Sequence, residues 1–102
     1  MPTYVIEREI PGAGLFSSGD LEDFARKSRS VLDRLGADIQ WIESHVADDK
    51  IYCIYRAASE ELIRQHAQQG GFPADSIARI RAKIGPSTGE SPIEESASHF
   101  KG

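Results

Sequence analysis

The chain has a single cysteine, Cys53, among its 102 residues. A lone cysteine rules out an intrachain disulfide, and with no Cys-x-x-Cys pair there is no thiolate zinc or dithiol redox site. Long apolar runs are also missing, so no segment approaches the roughly 20 apolar residues of a membrane-spanning helix. Basic residues are in deficit, 12 against 16 acidic, for a net charge of −4. That balance argues against partners that must be neutralised by a basic surface, namely nucleic acid and acidic membranes. No basic segment followed by an apolar stretch opens the chain; Met1-Pro2-Thr3 leads directly into a strand-like run, which makes a reducing cytoplasm the expected location.

What is present is ordinary globular composition, 39% hydrophobic and 27% charged, in a length that suits one hydrophobic core. Tyr4 to Ile10 alternates apolar Tyr4 and Ile6 with Glu7 and Glu9, as a strand does, before Pro11-Gly12-Ala13-Gly14 stops it. Leu21, Phe24, Ala25, Ser28, Val31, Leu32 and Leu35 recur at spacings of three and four, the mark of one helical face. Ser17 or Ser18 is placed to cap this helix and Gly36 to end it. Ile39 to Val46 and Ile51 to Arg56 read as two strands joined by a short loop, a hairpin pattern. Ser59-Glu60-Glu61 opens a second helix that Gly70-Gly71 closes, and Ser76 to Ile84 alternates as a fourth strand. From Gly85 the composition turns to Pro, Ser, Gly and Glu. The expected organisation is a domain over 1–88 and a flexible tail over 89–102, with Ile93 and Phe100 its only large apolar residues.

The order β-α-β-β-α-β predicts an α+β, ferredoxin-like sandwich: a four-stranded antiparallel sheet with two helices on one face. The other face then needs polar cover or a partner. With the hairpin turn centred on Asp48-Asp49, strand parity puts Val46, Ser44, Ile42, Ile51, Cys53 and Tyr55 on the core side. His45 opposite Tyr52, Glu43 opposite Ile54 and Trp41 opposite Arg56 fall on the open side, joined by Val5, Glu7, Arg79 and Arg81. A large aromatic, an isoleucine and paired charges suit a homodimer interface or a pocket between sheets better than bare solvent.

Several constellations carry potential chemistry. Glu43 and His45 lie two apart on one strand face, so their side chains project together. An imidazole and a carboxylate there could ligate a transition metal, with Glu7 or a neighbouring subunit completing the shell; a hydrogen bond from His45 to Glu43 or Tyr52 is the plainer expectation. His66 falls on the inner stripe of the second helix, where a satisfied, partly buried histidine is more common than a ligand. Asp48 and Asp49 could hold a divalent cation, although turn chemistry explains them. His99 falls in the expected tail. Cys53 on the core side reads as a small buried hydrophobe. Arg79, Arg81 and Lys83 read as cross-strand partners of Glu7, or alternatively as a grip on an anionic small molecule. Pro11-Gly12-Ala13-Gly14 lacks the spacing of a phosphate-binding glycine loop, and no organic cofactor is indicated.

The runs Tyr4-Val5-Ile6-Glu7-Arg8-Glu9-Ile10-Pro11-Gly12-Ala13-Gly14, Ile39-Gln40-Trp41, Asp48-Asp49-Lys50-Ile51-Tyr52-Cys53-Ile54-Tyr55 and His66-Ala67-Gln68-Gln69-Gly70-Gly71-Phe72-Pro73 resemble a bacterial family of small domains, domain of unknown function 4242. Some of its members are described as nickel-binding proteins. The resemblance covers about residues 2 to 88 and implies a ferredoxin-like homodimer that takes up nickel or another divalent transition metal at its surface, for sequestration or handling. It supplies no ligand list; the candidates His45, Asp48, Asp49, His66 and Glu43 come from side-chain chemistry. Two other readings stand beside it. One is a cofactor-free oxygenase or isomerase with Trp41, His45 and Arg79 lining an open-face pocket, an argument by fold analogy. The other is an interaction subunit without chemistry of its own.

Overall fold

The computed structural model describes residues 1–90; residues 91–102, which include Ile93, His99 and Phe100 of the expected tail, lie outside the described residues. Strand β1 (Thr3–Glu9), helix α1 (Ser18–Leu35), strands β2 (Ile39–Val46) and β3 (Lys50–Ala57), helix α2 (Glu60–Gly70) and strand β4 (Ser76–Ile80) follow in that order. The strands form one antiparallel sheet in the order β2-β3-β1-β4. With two helices on one face, this is the α+β arrangement expected of a ferredoxin-like sandwich.

Local chemistry sets the helix ends. The Ser17 side chain accepts from the Asp20 amide at 3.1 Å while Asp20 Oδ2 accepts from the Ser17 amide at 3.0 Å, a reciprocal capping box that satisfies two otherwise orphaned donors. Ser59 caps α2 by accepting from the Leu62 amide, and Glu60 and Glu61 place negative charge at its positive end. Gly71 closes α2 with φ of 69°, a left-handed conformation that favours glycine.

The core lies between the helices and the inward residues Tyr4 and Ile6 of β1, Ile39 of β2, and Ile51, Cys53, Tyr55 and Ala57 of β3. Near the hairpin tip the register is the expected one: Val46 faces Ile51, Ser44 faces Cys53, His45 faces Tyr52 and Glu43 faces Ile54. Further along, two departures correct the parity reading. The first is a β-bulge between Trp41 and Glu43. Val46 pairs with buried Ile51 and Ile39 with buried Ala57, seven residues apart on β2 but six on β3, so β2 carries one extra residue. Ile42 is that residue and is exposed. Trp41 therefore faces Tyr55, not Arg56, and leaves the open face; Gln40 takes the position opposite Arg56. Trp41 stacks on Tyr55 with ring centroids 6.5 Å apart, and its indole N–H donates to Ser44 Oγ across the bulge at 2.9 Å.

The second correction is β4. Ile77, not Ala78 or Ile80, faces inward, because it pairs with the fully buried Ile6. Arg79 then sits opposite Tyr4 on the helix side, while Ala78 and Ile80 go to the open side opposite Val5 and Thr3. The strand stops at Ile80, so Arg81, Lys83 and Ile84 are not part of the sheet and are exposed. Glu7 has no arginine partner across β4; it meets Ser76 there and forms its ion pair with Lys50 at 3.1 Å.

The turn between α2 and β4 depends on one close approach. A Cβ at Gly70 would lie 2.3 Å from Cε2 of Phe72, and that ring is a largely buried part of the core wall. Gly70→Ala is therefore expected to destabilise the fold by about 1–3 kcal/mol through overpacking, read as a lowered urea midpoint with unchanged slope. Gly89→Ala, where nothing lies within 4 Å of the added carbon, should leave the midpoint in place.

Candidate functional site

Three regions combine groups with chemical potential, and the sheet separates the first from the other two. On the open face, Val5, Tyr52, Ile54 and Ile80 are half-buried among Glu7, Lys50, Arg56, Glu43 and His45. His45 Nε2 and Glu43 Oε2 are 2.7 Å apart and both side chains are more than half exposed. The i, i+2 spacing on β2 brings these two together as the sequence suggests. The remaining candidates do not join them. His66 is buried on the other side of the sheet. Asp49 Oδ1 accepts from the Gly12 amide at 2.9 Å, and the Asp48 carbonyl accepts from the Gly14 amide, so the hairpin tip serves to anchor the β1–α1 loop. Among the described residues, no group of three or more His, Cys, Asp or Glu side chains is placed to hold a metal ion. Glu43 and His45 supply a nitrogen and an oxygen donor suited to a divalent transition metal, but only part of a coordination shell.

The second region is a buried polar cluster beneath α1 and α2, and its central residue, Arg8, was not singled out from sequence. Arg8 is 1% exposed. Its Nε donates to Cys53 Sγ at 3.3 Å and one terminal nitrogen to the Pro73 carbonyl at 2.7 Å, while its guanidinium lies 5.3 Å from the centre of the Phe72 ring. Among the described residues the other terminal nitrogen has no partner, and no carboxylate pairs with the guanidinium. The signal for it was strand parity: Arg8 shares a face with Tyr4 and Ile6. Next to it, Ser28 Oγ lies 3.0 Å from His66 Nε2 and 3.2 Å from the Tyr55 hydroxyl. A serine in contact with a histidine invites comparison with a nucleophile and its base. Here both are 1% exposed, and among the described residues His66 Nδ1 has no orienting partner.

Burial holds the His66 pKa down to about 4, helped by the Arg8 charge and opposed by the hydrogen bond with Ser28. Burial likewise raises the Tyr55 hydroxyl, with the Ser28 hydrogen bond acting against it. The third region, where the β1–α1 loop, the start of α1 and the α2–β4 turn meet, is a pocket of about 640 Å³ with Phe16, Phe24 and Phe72 in its walls.

The His66 environment has a consequence for stability. An unfolded histidine protonates near pH 6.5 and the folded one only near 4, so the unfolded state binds more protons in between. Stability should thus be complete above pH 6.5 and decline as pH falls towards 4, by about 3 kcal/mol in total. Urea denaturation between pH 7 and 4 should show this loss, and His66→Gln should remove most of it.

The sequence matches, over residues 4–80, the family described as "SCO4226-like: Nickel responsive protein SCO4226-like". Among solved structures, the fold resembles the crystal structure of SCO4226 from Streptomyces coelicolor A3(2), with a TM-score of 0.66 and 16% identity over 80% of this chain and 99% of that one. At that identity the likeness concerns the fold alone. No curated protein matches. Since the family match spans residues 4–80 of the 102, and with them the whole sheet and both helices, the chain belongs to the SCO4226-like family of nickel-responsive proteins.

Proposed function

We propose that this protein is a homodimeric binding protein for a divalent transition metal, nickel by the family's description, and that Glu43 and His45 are its principal ligands. The observation that carries this reading is the exposed contact between His45 Nε2 and Glu43 Oε2 at 2.7 Å. An imidazole nitrogen and a carboxylate oxygen, already converged on the open sheet face, form a borderline donor set that nickel accepts. A metal ion would take the place of the hydrogen bond between them, using the ring nitrogen and the carboxylate oxygen as donors.

One chain offers too few donors at this place, and a second copy across the open face supplies the remainder. The half-buried Val5 and Ile54, with the Glu7–Lys50 ion pair and Arg56 around them, give that face the apolar centre and charged border of an interface. Symmetric pairing brings each chain's β2 residues to the same surface. Binding without turnover fits the rest of the molecule, since the serine–histidine pair is sealed in the core.

Calorimetric titration of nickel into tag-free protein tests the ligand assignment. His45→Ala and Glu43→Gln should each weaken binding at least about tenfold, whereas His66→Gln should leave it unchanged. Equal affinity in all of these proteins would remove the assignment. The interface has its own test. Ile54→Asp places a charge in the middle of the open face and should give a monomer by sedimentation, with circular dichroism showing the fold intact.

A further inference from the structure

We infer that residues 81–84 are an exchange arm, which adds as a fifth strand along the free edge of β2 in a second copy of this chain. The inference rests on the homodimer proposed above and names the segment that ties the two copies together. Strand β4 ends at Ile80 because its partner β1 begins at Thr3, directly opposite. No turn or bend follows before Gly85, and Arg81-Ala82-Lys83-Ile84 continues the alternation of β4. Every residue from 81 to 90 is exposed, with Ile84 at 77%. Gly85 and Thr88 bond each other, in both directions at 2.9 Å, so the segment closes on itself there. Among the described residues no ion pair ties Arg81 or Lys83 to the body of the domain. The arm also lies beyond the family match, which ends at residue 80.

The receiving edge is argued from length, apolar surface and charge. β2 is the opposite edge strand of the sheet, and an edge offers its unpaired N–H and C=O groups to another chain. Beyond the bulge, Glu43 to Val46 runs in regular register for four residues, the length of the arm. Ile42 and Val46 on this strand are 44% and 42% exposed, apolar surface that Ile84 covers. Asp38, Asp48 and Asp49 flank the strand and are exposed, so the edge complements Arg81 and Lys83 in charge. Two arms laid side by side would instead set basic residues against each other. Reach excludes the chain's own β2. Its free edge lies four strand spacings from β4, about 19 Å, whereas four extended residues span about 13 Å. Strand addition uses the backbone of β2, which leaves the Glu43 and His45 side chains on the open face.

Hydrogen exchange followed by mass spectrometry tests the arm, with sedimentation of the same samples reporting the oligomer. At concentrations where the dimer forms, amides of residues 81–84 should exchange at least about tenfold more slowly than in the dilute monomer, and those of 43–46 should slow with them. Ala82→Pro combined with Lys83→Pro removes the ladder donor whichever side of the arm faces β2, and should abolish the arm's share of this protection. Arg81→Glu combined with Lys83→Glu should raise the dimer dissociation constant by about tenfold. A dimer whose residues 81–84 exchange as fast as in the dilute chain overturns the arm and leaves the open-face pairing in place. Protection that is the same at every concentration places the arm on its own chain and overturns it too. A monomer at every concentration overturns both readings.

Discussion

A four-stranded sheet has two faces, and this chain has only enough helix to cover one. That constraint organises the rest of the molecule. The covered side takes the inward residues of β1 and β3 and encloses the aromatic and polar core. On the open side remain Val5, Tyr52 and Ile54, half-buried by their neighbours, with Glu43 and His45 towards the edge strand β2. An antiparallel sheet can present a solvated face to water, but this face is polar only around its border. Pairing of two chains through it would bury the apolar centre and bring the donor groups of each copy to a common surface.

The covered side has its own unusual feature. Arg8 carries a charge that no carboxylate among the described residues neutralises, and its stabilising contacts are a thiol, a carbonyl and an aromatic ring. Such a group is costly to bury, and replacing buried charges by apolar residues is often neutral or favourable to stability. The arrangement does fix geometry: Arg8 ties β1 to Cys53 on β3 and to Pro73 in the turn before β4, with Phe72 held beneath it. Its charge is also part of what keeps His66 neutral. The core is thus specified as much by one directional network, Arg8 with Cys53 and Ser28 with Tyr55 and His66, as by apolar packing.

The periodic elements were legible because each rests on local signals that agree. The stripe from Leu21 to Leu35 lies between a serine cap and Gly36, and α1 spans it. The hairpin register near its tip follows from loop length, and it holds from Glu43 to Val46. Parity failed where a strand is not uniform. Nothing local in the sequence marks the extra residue between Trp41 and Glu43; the Trp41–Ser44 hydrogen bond and the Trp41–Tyr55 stack accompany it. In β4 the alternation Ala78, Ile80, Ala82, Ile84 suggested one inward face, while the tertiary partner Ile6 selects Ile77 for the core. The Glu43–His45 pair needs only the two-residue repeat of a strand, and so it could be read directly. Arg8 was readable by the same rule, but an arginine at a core position runs against the usual preference for exposure.

The family assignment and the converged imidazole–carboxylate pair meet in one proposal, that metal capture and dimerisation are coupled. If ligands from two chains share one ion, nickel must favour the dimer by linkage. Sedimentation velocity across a concentration series, with and without nickel, measures that coupling directly. The account predicts a dimer dissociation constant lowered by at least about tenfold when nickel is present, with one ion bound per two chains. An association constant indifferent to nickel, or one ion bound by each isolated monomer, would contradict it.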